Sequence, residues 1–416
     1  MTAYTGVLRC PRCAAERPDT VDPYAVCTPC DAAGYHVNPF PVYDLTGLPE
    51  AAARPDRNRA GVFAWQHLLP VRPDGPVVSL REGGTPLLPL PRTADRLGVG
   101  GLFLKDESRN PTWSYKDRLI AVAVTRAVQD GAETVVVAST GNHGAAAAAY
   151  AAAAGLRCVV LTLESVPQTM KVLMQSYGAD VVALHRGPDR WALLRQGVLQ
   201  RGWVPLSGFV DPPAGSNPFG IDGYKTIAYE IVAELGRAPD VLVAPTAYGD
   251  GLTGVLRGFD DLLALGVVDR VPRMVAAEPL GPYSDAVAHG FRPGVTVPAR
   301  PSVAFSIATP VATYQGYSAV TRSGGAAGAA DENEIMSAQL RLAREEGVYL
   351  EASAVVPVAV LAKLRATGAV TAGEQVVLLG TSTGLKDIGA TAAHLPPVPV
   401  VEPTLAALDA AIQGSA

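Results

Sequence analysis

Apolar runs without polar alternation recur along the chain, and each is followed by a polar turn. The clearest runs are residues 135–138, 241–244 and 376–379, which consist of valine, leucine and alanine. Such runs are typical of parallel strands that are buried on both faces. After the first two runs, the turn leads into a stretch with the length of a helix, and this alternation begins at Leu102. The pattern predicts an α/β fold with open, mostly parallel twisted sheets flanked by helices.

Lys116 stands at the start of another predicted helix. It follows the turn-forming residues Asn110 and Pro111 and precedes the apolar residues 119–124. A lysine that is partly desolvated near a helix N-terminus has its ammonium form disfavoured, so its amine is available to form a Schiff base with an aldehyde. The alternative is an ordinary surface lysine on a capped helix.

The turn at residues 139–143, Ser-Thr-Gly-Asn-His, has the composition of an anion-binding site. It joins a predicted strand to an alanine-rich helix. The start of such a helix directs backbone N–H groups and the positive end of its dipole at an anion. An ordinary turn in which Ser139 and Asn142 cap the helix has the same composition.

A second turn, at residues 245–251, is rich in glycine. Gly249 and Gly251 allow backbone amides to approach a phosphate closely, and a predicted helix follows. Asp250 between them would repel a phosphate, so we expect its side chain to point away or to cap the helix.

The order of these motifs resembles that of the threonine synthase family, whose members depend on pyridoxal phosphate (PLP) and have the tryptophan synthase β-like fold (fold type II). Residues 110–118 are similar to the family's lysine motif NPTGSFKDR, and residues 380–387 to its TGHGLKD strand end. The resemblance covers roughly residues 75–390. It implies that Lys116 is the catalytic lysine, which holds PLP as a Schiff base and then moves protons on the substrate.

The resemblance also implies roles for other residues of the motifs. Asn142 would contact the cofactor's 3-hydroxyl, and Thr381, with Ser382 as the alternative, would hydrogen-bond the pyridine nitrogen. The full cofactor-binding set would be Lys116, Asn142, Gly249, Asp250, Gly251, Leu252, Thr253 and Thr381. The substrate-binding set would be Ser139, Thr140, Gly141 and His143, which surround the carboxylate, and Trp113, which would fill space on the substrate side.

The chain departs from the family where the substrate's phosphate is expected to bind. Gly220 stands in place of an arginine, and losing such a charge-assisted donor disfavours O-phosphohomoserine. Trp113 replaces a glycine, and His143 is a feature of serine/threonine dehydratases. We therefore expect elimination or replacement at Cβ or Cγ of an amino acid, with a substrate of specialised metabolism favoured over O-phosphohomoserine. Threonine synthase proper, serine/threonine dehydratase and a non-enzymatic PLP or amino-acid sensor are the alternatives.

Four of the five cysteines lie near the start of the chain. Cys10, Cys13, Cys27 and Cys30 form two C-x-x-C pairs that predict one structural zinc site in a zinc-ribbon-like segment. Disulfides are the alternative, which a cytosolic location disfavours. Cys158 lies in an apolar run and is expected to be a buried, unreactive side chain.

Length and charge set the remaining expectations. A chain of 416 residues with 48% hydrophobic content is long enough for two domains and an appendage. We expect the zinc-ribbon-like segment at residues 1–45, a large PLP-binding domain at 46–115 and 213–416, and a small domain at 116–212. The net charge of −5 disfavours nucleic-acid binding, and no signal or membrane-spanning run is seen. A cytoplasmic enzyme is expected, and the resemblance implies a homodimer.

Overall fold

The computed structural model describes residues 2–413, in which the strands form three separate sheets. The strands are β1 (Tyr4–Arg9), β2 (Glu16–Pro18), β3 (Phe40–Tyr43), β4 (Leu87–Pro89), β5 (Gly101–Asp106), β6 (Thr134–Ala138), β7 (Arg157–Leu163), β8 (Asp180–Leu184), β9 (Val204–Pro205), β10 (Val241–Pro245), β11 (Arg273–Glu278), β12 (Ala326–Ala329) and β13 (Gln375–Gly380).

Helices connect the strands and cover the sheets. They are α1 (Thr28–Ala32), α2 (Pro91–Leu97), α3 (Lys116–Gln129), α4 (Asn142–Ala154), α5 (Gln168–Ser176), α6 (Gly187–Arg201), α7 (Pro218–Ile221), α8 (Lys225–Leu235), α9 (Asp250–Ala264), α10 (Pro282–His289), α11 (Tyr314–Arg322), α12 (Glu332–Glu346), α13 (Ala352–Ala366), α14 (Ile388–Ala392) and α15 (Leu405–Gln413). Short 3₁₀ helices occupy Glu50–Ala53, Gly61–Leu68, Glu107–Arg109, Asp222–Tyr224 and Gly384–Lys386.

The two larger sheets are mostly parallel, which confirms the predicted α/β class. The six-stranded sheet has the order β12-β11-β10-β13-β5-β4, and only its edge strand β4 runs antiparallel to its neighbour. The four-stranded sheet has the order β8-β7-β6-β9 and is parallel throughout. The third sheet, β2-β1-β3, is antiparallel and lies in the N-terminal segment.

Burial on both faces explains the unbroken apolar runs. In β10, Leu242 and Ala244 belong to one buried cluster, whereas Val241 and Val243 belong to another. Because side chains alternate between the two faces of a strand, both faces of this strand are covered by protein. The predicted domain boundaries fall between the three sheets and stay a prediction. No helix within residues 2–413 combines the length and the apolar character needed to cross a membrane.

A buried ion cluster fixes the beginning of α3. Arg118 is completely buried and donates to both oxygens of Glu107 at 2.7 and 2.8 Å and to both oxygens of Glu230 at 2.7 Å. Its remaining contacts are with the hydroxyls of Thr226 and Thr85 at 2.9 and 3.1 Å. Burial alone would lower the pKa of Arg118, but the two carboxylates outweigh that effect and raise it. The cluster joins α3 to α8 and to the end of β5.

The loop that precedes α3 is held by the neighbouring residue of the same helix. Asp117 is buried and accepts hydrogen bonds from the backbone N–H and the hydroxyl of Thr112 at 2.7 and 2.6 Å. Burial raises the pKa of Asp117 to about 7, against the effect of these two hydrogen bonds. Lys116 immediately precedes these two residues. Asp117 therefore fixes its position through the loop, and Arg118 fixes it through the buried ion cluster.

We predict that Arg118→Leu destabilises the protein by about 3–5 kcal/mol, because it leaves the buried Glu107 without its cation and Glu230 with Lys105 alone. Urea unfolding followed by circular dichroism measures the loss. The matched control is Arg157→Leu, which breaks a pair with Asp180 of equal length, 2.7 Å, in which both side chains are more than half exposed. For Arg157→Leu we expect the free energy of unfolding to fall by at most about 1 kcal/mol. Equal losses in the two variants would contradict the role of the Arg118 cluster.

Candidate active site

A cavity of about 330 Å³ opens where the parallel strands end. The residues that follow β6, β10 and β13 line it, together with the start of α3. Ligands of open α/β sheets bind outside the carboxyl ends of the strands, because loops and helix N-termini converge there. The volume is that of a site for a small molecule.

Most of the predicted site residues meet in this cavity, although they come from distant parts of the chain. The predicted residues that line it are Lys116, Ser139, Thr140, Gly141, Asn142, His143, Gly249, Asp250, Gly251, Leu252 and Thr381. Their roles toward a ligand stay predictions. Thr253 and Trp113 lie outside the cavity wall.

Lys116 is the first residue of α3, as the sequence predicts. Its Nζ lies 4.8 Å from the ring centroid of Tyr115 and 5.9 Å from that of Tyr224. These two rings stack on each other at 4.6 Å with an interplanar angle of 18°. The amine therefore rests against an aromatic platform that keeps water from one side of it.

The turn after β6 is organised by its own serine. Ser139 Oγ accepts hydrogen bonds from the backbone N–H groups of Gly141 at 3.1 Å and Gly144 at 2.8 Å, so this hydroxyl caps the turn. Asn142 and His143 begin α4, and the N–H groups of the first helical residues have no acceptor within the helix. The turn thus fits both interpretations of its sequence: the serine accepts from Gly141 and Gly144, while the N–H groups of Thr140, Asn142 and His143 remain available to an anion.

His143 is held in its neutral form. Its Nε2 lies 3.1 Å from the carbonyl oxygen of Leu206, and because a carbonyl only accepts, Nε2 carries the proton. Burial, together with the charge of Lys116, lowers the pKa of His143 to about 3, against the opposing effect of the hydrogen bond with Leu206. The imidazole therefore faces the cavity as a neutral group and does not act as a general acid near neutral pH.

The glycines of the second turn are required by their surroundings. Gly249 has φ +75°, and a Cβ added to it would lie 2.6 Å from the Cα of Gly316. A Cβ at Gly251 would lie 2.7 Å from the ring of Tyr115. The backbone at residues 249–252 lines the cavity at the start of α9, where the first amides have no helical acceptor. This arrangement fits a phosphate.

Asp250 points away from those amides, as the sequence analysis requires. Its Oδ1 accepts hydrogen bonds from the backbone N–H of Ser216 at 2.9 Å and from Nε2 of Gln315 at 2.7 Å, and it does not cap α9. Thr253, one turn into α9, has a buried hydroxyl without a hydrogen-bond partner among residues 2–413. That hydroxyl is an unused donor beside the loop.

The strand end after β13 separates the two candidates for the ring-nitrogen contact. Thr381 lines the cavity, whereas Ser382 lies behind it and donates to Oδ1 of Asn142 at 3.4 Å. The carbonyl of Thr381 accepts from the backbone N–H of Tyr115 at 3.0 Å, which ties this strand end to the residue before Lys116. The arrangement favours Thr381 over Ser382.

A polar network behind Asn142 was missed by the sequence analysis. Glu351 lines the cavity and accepts from Nδ2 of Asn142 at 3.1 and 3.2 Å, and from the hydroxyl of Ser306 at 3.2 Å. Lys386 donates to Oδ1 of Asn142 at 2.7 Å. Burial raises the pKa of Glu351 and lowers the pKa of Lys386 to about 8, while each charge partly offsets the shift of the other. In the sequence, Glu351 is simply a glutamate that precedes an apolar helix, and no motif there indicates its contact with Asn142.

Two residues named for the substrate pocket lie outside the cavity wall, so their roles there stay predictions. Trp113 has φ +58° and a side chain that is 47% exposed, so it stands at the surface in this structure. Gly220 is buried in α7, where an added Cβ would lie 2.9 Å from the backbone oxygen of Leu119. An arginine at 220 would therefore disrupt the packing of α7 on α3 rather than reach a ligand.

The four N-terminal cysteines converge as the sequence predicts. Their sulfur atoms all lie within 4.8 Å of one another, with Cys10 and Cys30 at 3.6 Å and Cys13 and Cys27 at 3.5 Å. A tetrahedral zinc with Zn–S bonds of about 2.3 Å places its sulfurs about 3.8 Å apart, whereas a disulfide requires about 2.05 Å. The four thiols fit a metal rather than disulfides. Cys158 is buried in β7, and burial raises its pKa to about 12.

The chain is similar to known proteins over most of its length. Residues 78–382 match the family described as "Pyridoxal-phosphate dependent enzyme". Threonine synthase of Methanocaldococcus jannaschii is 32% identical over 83% of this chain and 86% of that protein. Threonine synthase of Methanosarcina acetivorans is 34% identical over 91% and 92%. The crystal structure of O-ureido-L-serine synthase superimposes with a TM-score of 0.60 at 25% identity, covering 78% of this chain and 96% of that one.

The lowered pKa of His143 predicts a specific pH dependence of stability. The unfolded chain binds a proton here below about pH 6.5, whereas the folded protein does so only near pH 3. The contribution of this group is therefore complete above pH 6.5 and is lost as the pH falls from 6.5 to 3. We expect His143→Gln to lose stability less steeply than the wild type between pH 6.5 and 4, as measured by urea midpoints. Parallel curves from pH 8 to pH 4 would rule this out.

Proposed function

The chain belongs to the pyridoxal-phosphate dependent enzymes, within the threonine synthase family, and we propose that it eliminates or replaces a group at Cβ or Cγ of an amino acid. The observation that carries the proposal is the meeting of Lys116, the turn 139–143, the loop 249–252 and Thr381 in one cavity. PLP bound there would supply an aldehyde that condenses with amines and a ring that withdraws electrons from the amino acid.

Each part of the cavity has a distinct task in this proposal. The amides of residues 249–252 hold the cofactor's phosphate, and Thr381 offers a neutral hydroxyl to its ring nitrogen. The amides of the turn 139–143 hold the carboxylate of the amino acid. Asn142, which is itself fixed by Glu351 and Lys386, orients the ring edge nearest to it.

Lys116 moves the protons. Among the described residues that line the cavity it supplies the only amine, and the platform of Tyr115 and Tyr224 limits its solvation. His143 is neutral and bonded to a carbonyl, and Asp250 is occupied by Ser216 and Gln315. Removal of the α-proton and its return to a later intermediate therefore fall to the Lys116 amine.

The identity of the substrate is the most specific part of the proposal. The family's phosphate-binding arginine has no counterpart here, because Gly220 packs against Leu119, and this supports an amino acid other than O-phosphohomoserine. Neither Arg109 nor Lys225 is free to replace that arginine, because Arg109 pairs with Asp106 at 2.9 Å and Lys225 with Asp261 at 2.6 Å. Threonine synthase is the second candidate, favoured by the two relatives that bear this name.

The four-cysteine unit completes the proposal as a structural zinc site. Four thiolates fill a tetrahedral shell and leave no position for a substrate or a water. The unit is tied to the cavity wall, because Asn38 Nδ2 donates to the carbonyl of Ser216 at 2.7 Å and Tyr314 packs against the cysteines. Homodimeric assembly, a cytoplasmic location and the domain boundaries stay proposals from the sequence.

We predict that Lys116→Ala abolishes turnover and the absorbance of PLP attached to the protein. Borohydride reduction of the wild type followed by peptide mapping should place the phosphopyridoxyl label on residue 116. Lys386 is the most demanding rival, because it is buried beside Asn142 and its pKa is lowered to about 8. Lys171→Ala, which changes a half-buried lysine outside the cavity, is the matched control and should retain both label and turnover.

The same wild-type protein should turn over at least one amino acid in a panel of O-phosphohomoserine, O-phosphoserine, O-acetylated amino acids, serine and threonine. Oxo acids from serine or threonine alone would identify a dehydratase. Efficient formation of threonine would favour the second candidate. A change in absorbance without any product would support a sensor and contradict the proposed activity, as would a label on any lysine other than 116.

Purified protein is expected to contain one zinc per chain. Cys10→Ser should lose it, and residues 1–45 should then become sensitive to proteases, because the segment depends on the metal to close its core. Cys158→Ser, a buried cysteine outside the cluster, is the matched control and should keep the zinc. Elemental analysis and limited proteolysis measure both effects. A metal-free wild type that resists proteolysis equally well would show that the site does not need zinc.

A further inference from the structure

One guanidinium in the cavity wall has no task in the proposed function. Arg190 lies in the first turn of α6 and lines the cavity together with its neighbour Trp191. The ring of Trp191 meets the ring of Tyr248 edge to face, with the centroids 6.5 Å apart. Tyr248 directly precedes the loop 249–252, so this contact brings the start of α6 to the other side of the cavity.

Arg190 has no anionic partner within residues 2–413. Its Nε donates to the carbonyl of Gly187 at 3.2 Å, and its remaining N–H groups form neither an ion pair nor a further hydrogen bond with the described protein. The side chain is half-buried, and burial lowers the pKa of Arg190 against a small opposing effect of Tyr248. Its charge has only the ring of Trp191 beside it, 5.9 Å from the guanidinium carbon, so an anion supplied by a ligand would stabilise it further.

The carboxylates of the cavity are already engaged. Asp250 accepts from Ser216 and Gln315, and Glu351 accepts from Asn142 and Ser306. Neither is paired with Arg190, so its positive charge is not balanced from within the wall.

The two other anions of the proposed function have places of their own. Backbone amides at 249–252 suit the cofactor's phosphate, and those of the turn 139–143 suit the carboxylate of the amino acid. Arg190 is therefore available to bind a third anion. A guanidinium binds carboxylate and phosphate in a bidentate manner, which makes it selective for such groups over neutral ones.

We propose that Arg190 binds an acidic group on the substrate's side chain, so that the preferred substrate is an amino acid with a second acidic group, a carboxylate or a phosphate. This assignment rests on the proposed function. It makes Arg190 a specificity-determining residue, in a different element from the family arginine that Gly220 replaces.

The test uses the PLP-loaded enzyme and pairs of amino acids that differ in side-chain charge. L-aspartate against L-asparagine and L-glutamate against L-glutamine represent the carboxylate, and O-phospho-L-serine against L-serine represents the phosphate. Titration followed by the absorbance of bound PLP gives a dissociation constant for each. We expect the acidic member of at least one pair to bind about 10- to 100-fold more tightly, as one charge-assisted contact provides.

Arg190→Gln should remove that preference while the affinity for the neutral members stays within about twofold, and KM for an acidic substrate should rise more than kcat falls. Arg195→Gln, an exposed arginine further along α6, is the matched control and should behave as the wild type. The pair of amino acids whose difference in affinity changes most in Arg190→Gln shows whether the preferred acidic group is a carboxylate or a phosphate.

Three results would overturn the assignment. Equal affinity for the acidic and neutral members in the wild type would refute it, as would a preference that survives Arg190→Gln. Loss of PLP affinity in Arg190→Gln would place the guanidinium on the cofactor's phosphate instead. Failure of every amino acid to change the absorbance of bound PLP would refute the proposed function itself, which separates that failure from a failure of Arg190 alone.

Discussion

The position of Lys116, the proposed catalytic lysine, depends on a buried arginine two residues further along the chain. Arg118 has no exposed surface, and its N–H groups are divided between Glu107 after β5 and Glu230 in α8. An uncompensated charge in this place would be very costly, so the three elements are locked in one arrangement. Asp117 fixes the loop before the helix in the same way through Thr112. Lys116 is thus held at the mouth of the cavity by contacts that lie outside it.

Because the contacts that hold Lys116 lie outside the cavity, the cavity itself has few charged side chains. The two anion sites proposed for it consist of backbone amides at the starts of α4 and α9, which would attract anions without adding a formal positive charge. Asp250 and Glu351 are occupied by hydrogen bonds, and His143 is neutral. The charges that remain to act on a ligand belong to Lys116 and Arg190. In such a wall a single guanidinium has a large effect on which substrate is accepted.

The sequence was sufficient for features that depend on local order. Short motifs are enough to predict the strand ends, turns and helix starts around Lys116, Asn142 and residues 249–251. Each of these features is formed by residues that are close together in the chain. Glu351 reaches Asn142 from 209 residues away, and no pattern in either segment indicates that contact. Trp113 illustrates another limit: matching it to a glycine gives its place in the loop but not the direction of its side chain, which is 47% exposed on a backbone with φ +58°.

Asp250 shows how the distant segments are joined. A carboxylate in a phosphate-binding loop is electrostatically unfavourable unless it is turned away and satisfied elsewhere. Here it accepts from the backbone N–H of Ser216 and from Gln315, while the carbonyl of Ser216 accepts from Asn38 of the N-terminal segment. Ser216 is therefore held on one side by the phosphate loop and on the other by the segment that contains the four cysteines. The segment is also anchored by Phe40, which belongs to the main core, and by Tyr43, which donates to Asp222 at 2.6 Å. A zinc bound by the four cysteines, as proposed, would stabilise this segment further and with it the cavity wall at Ser216.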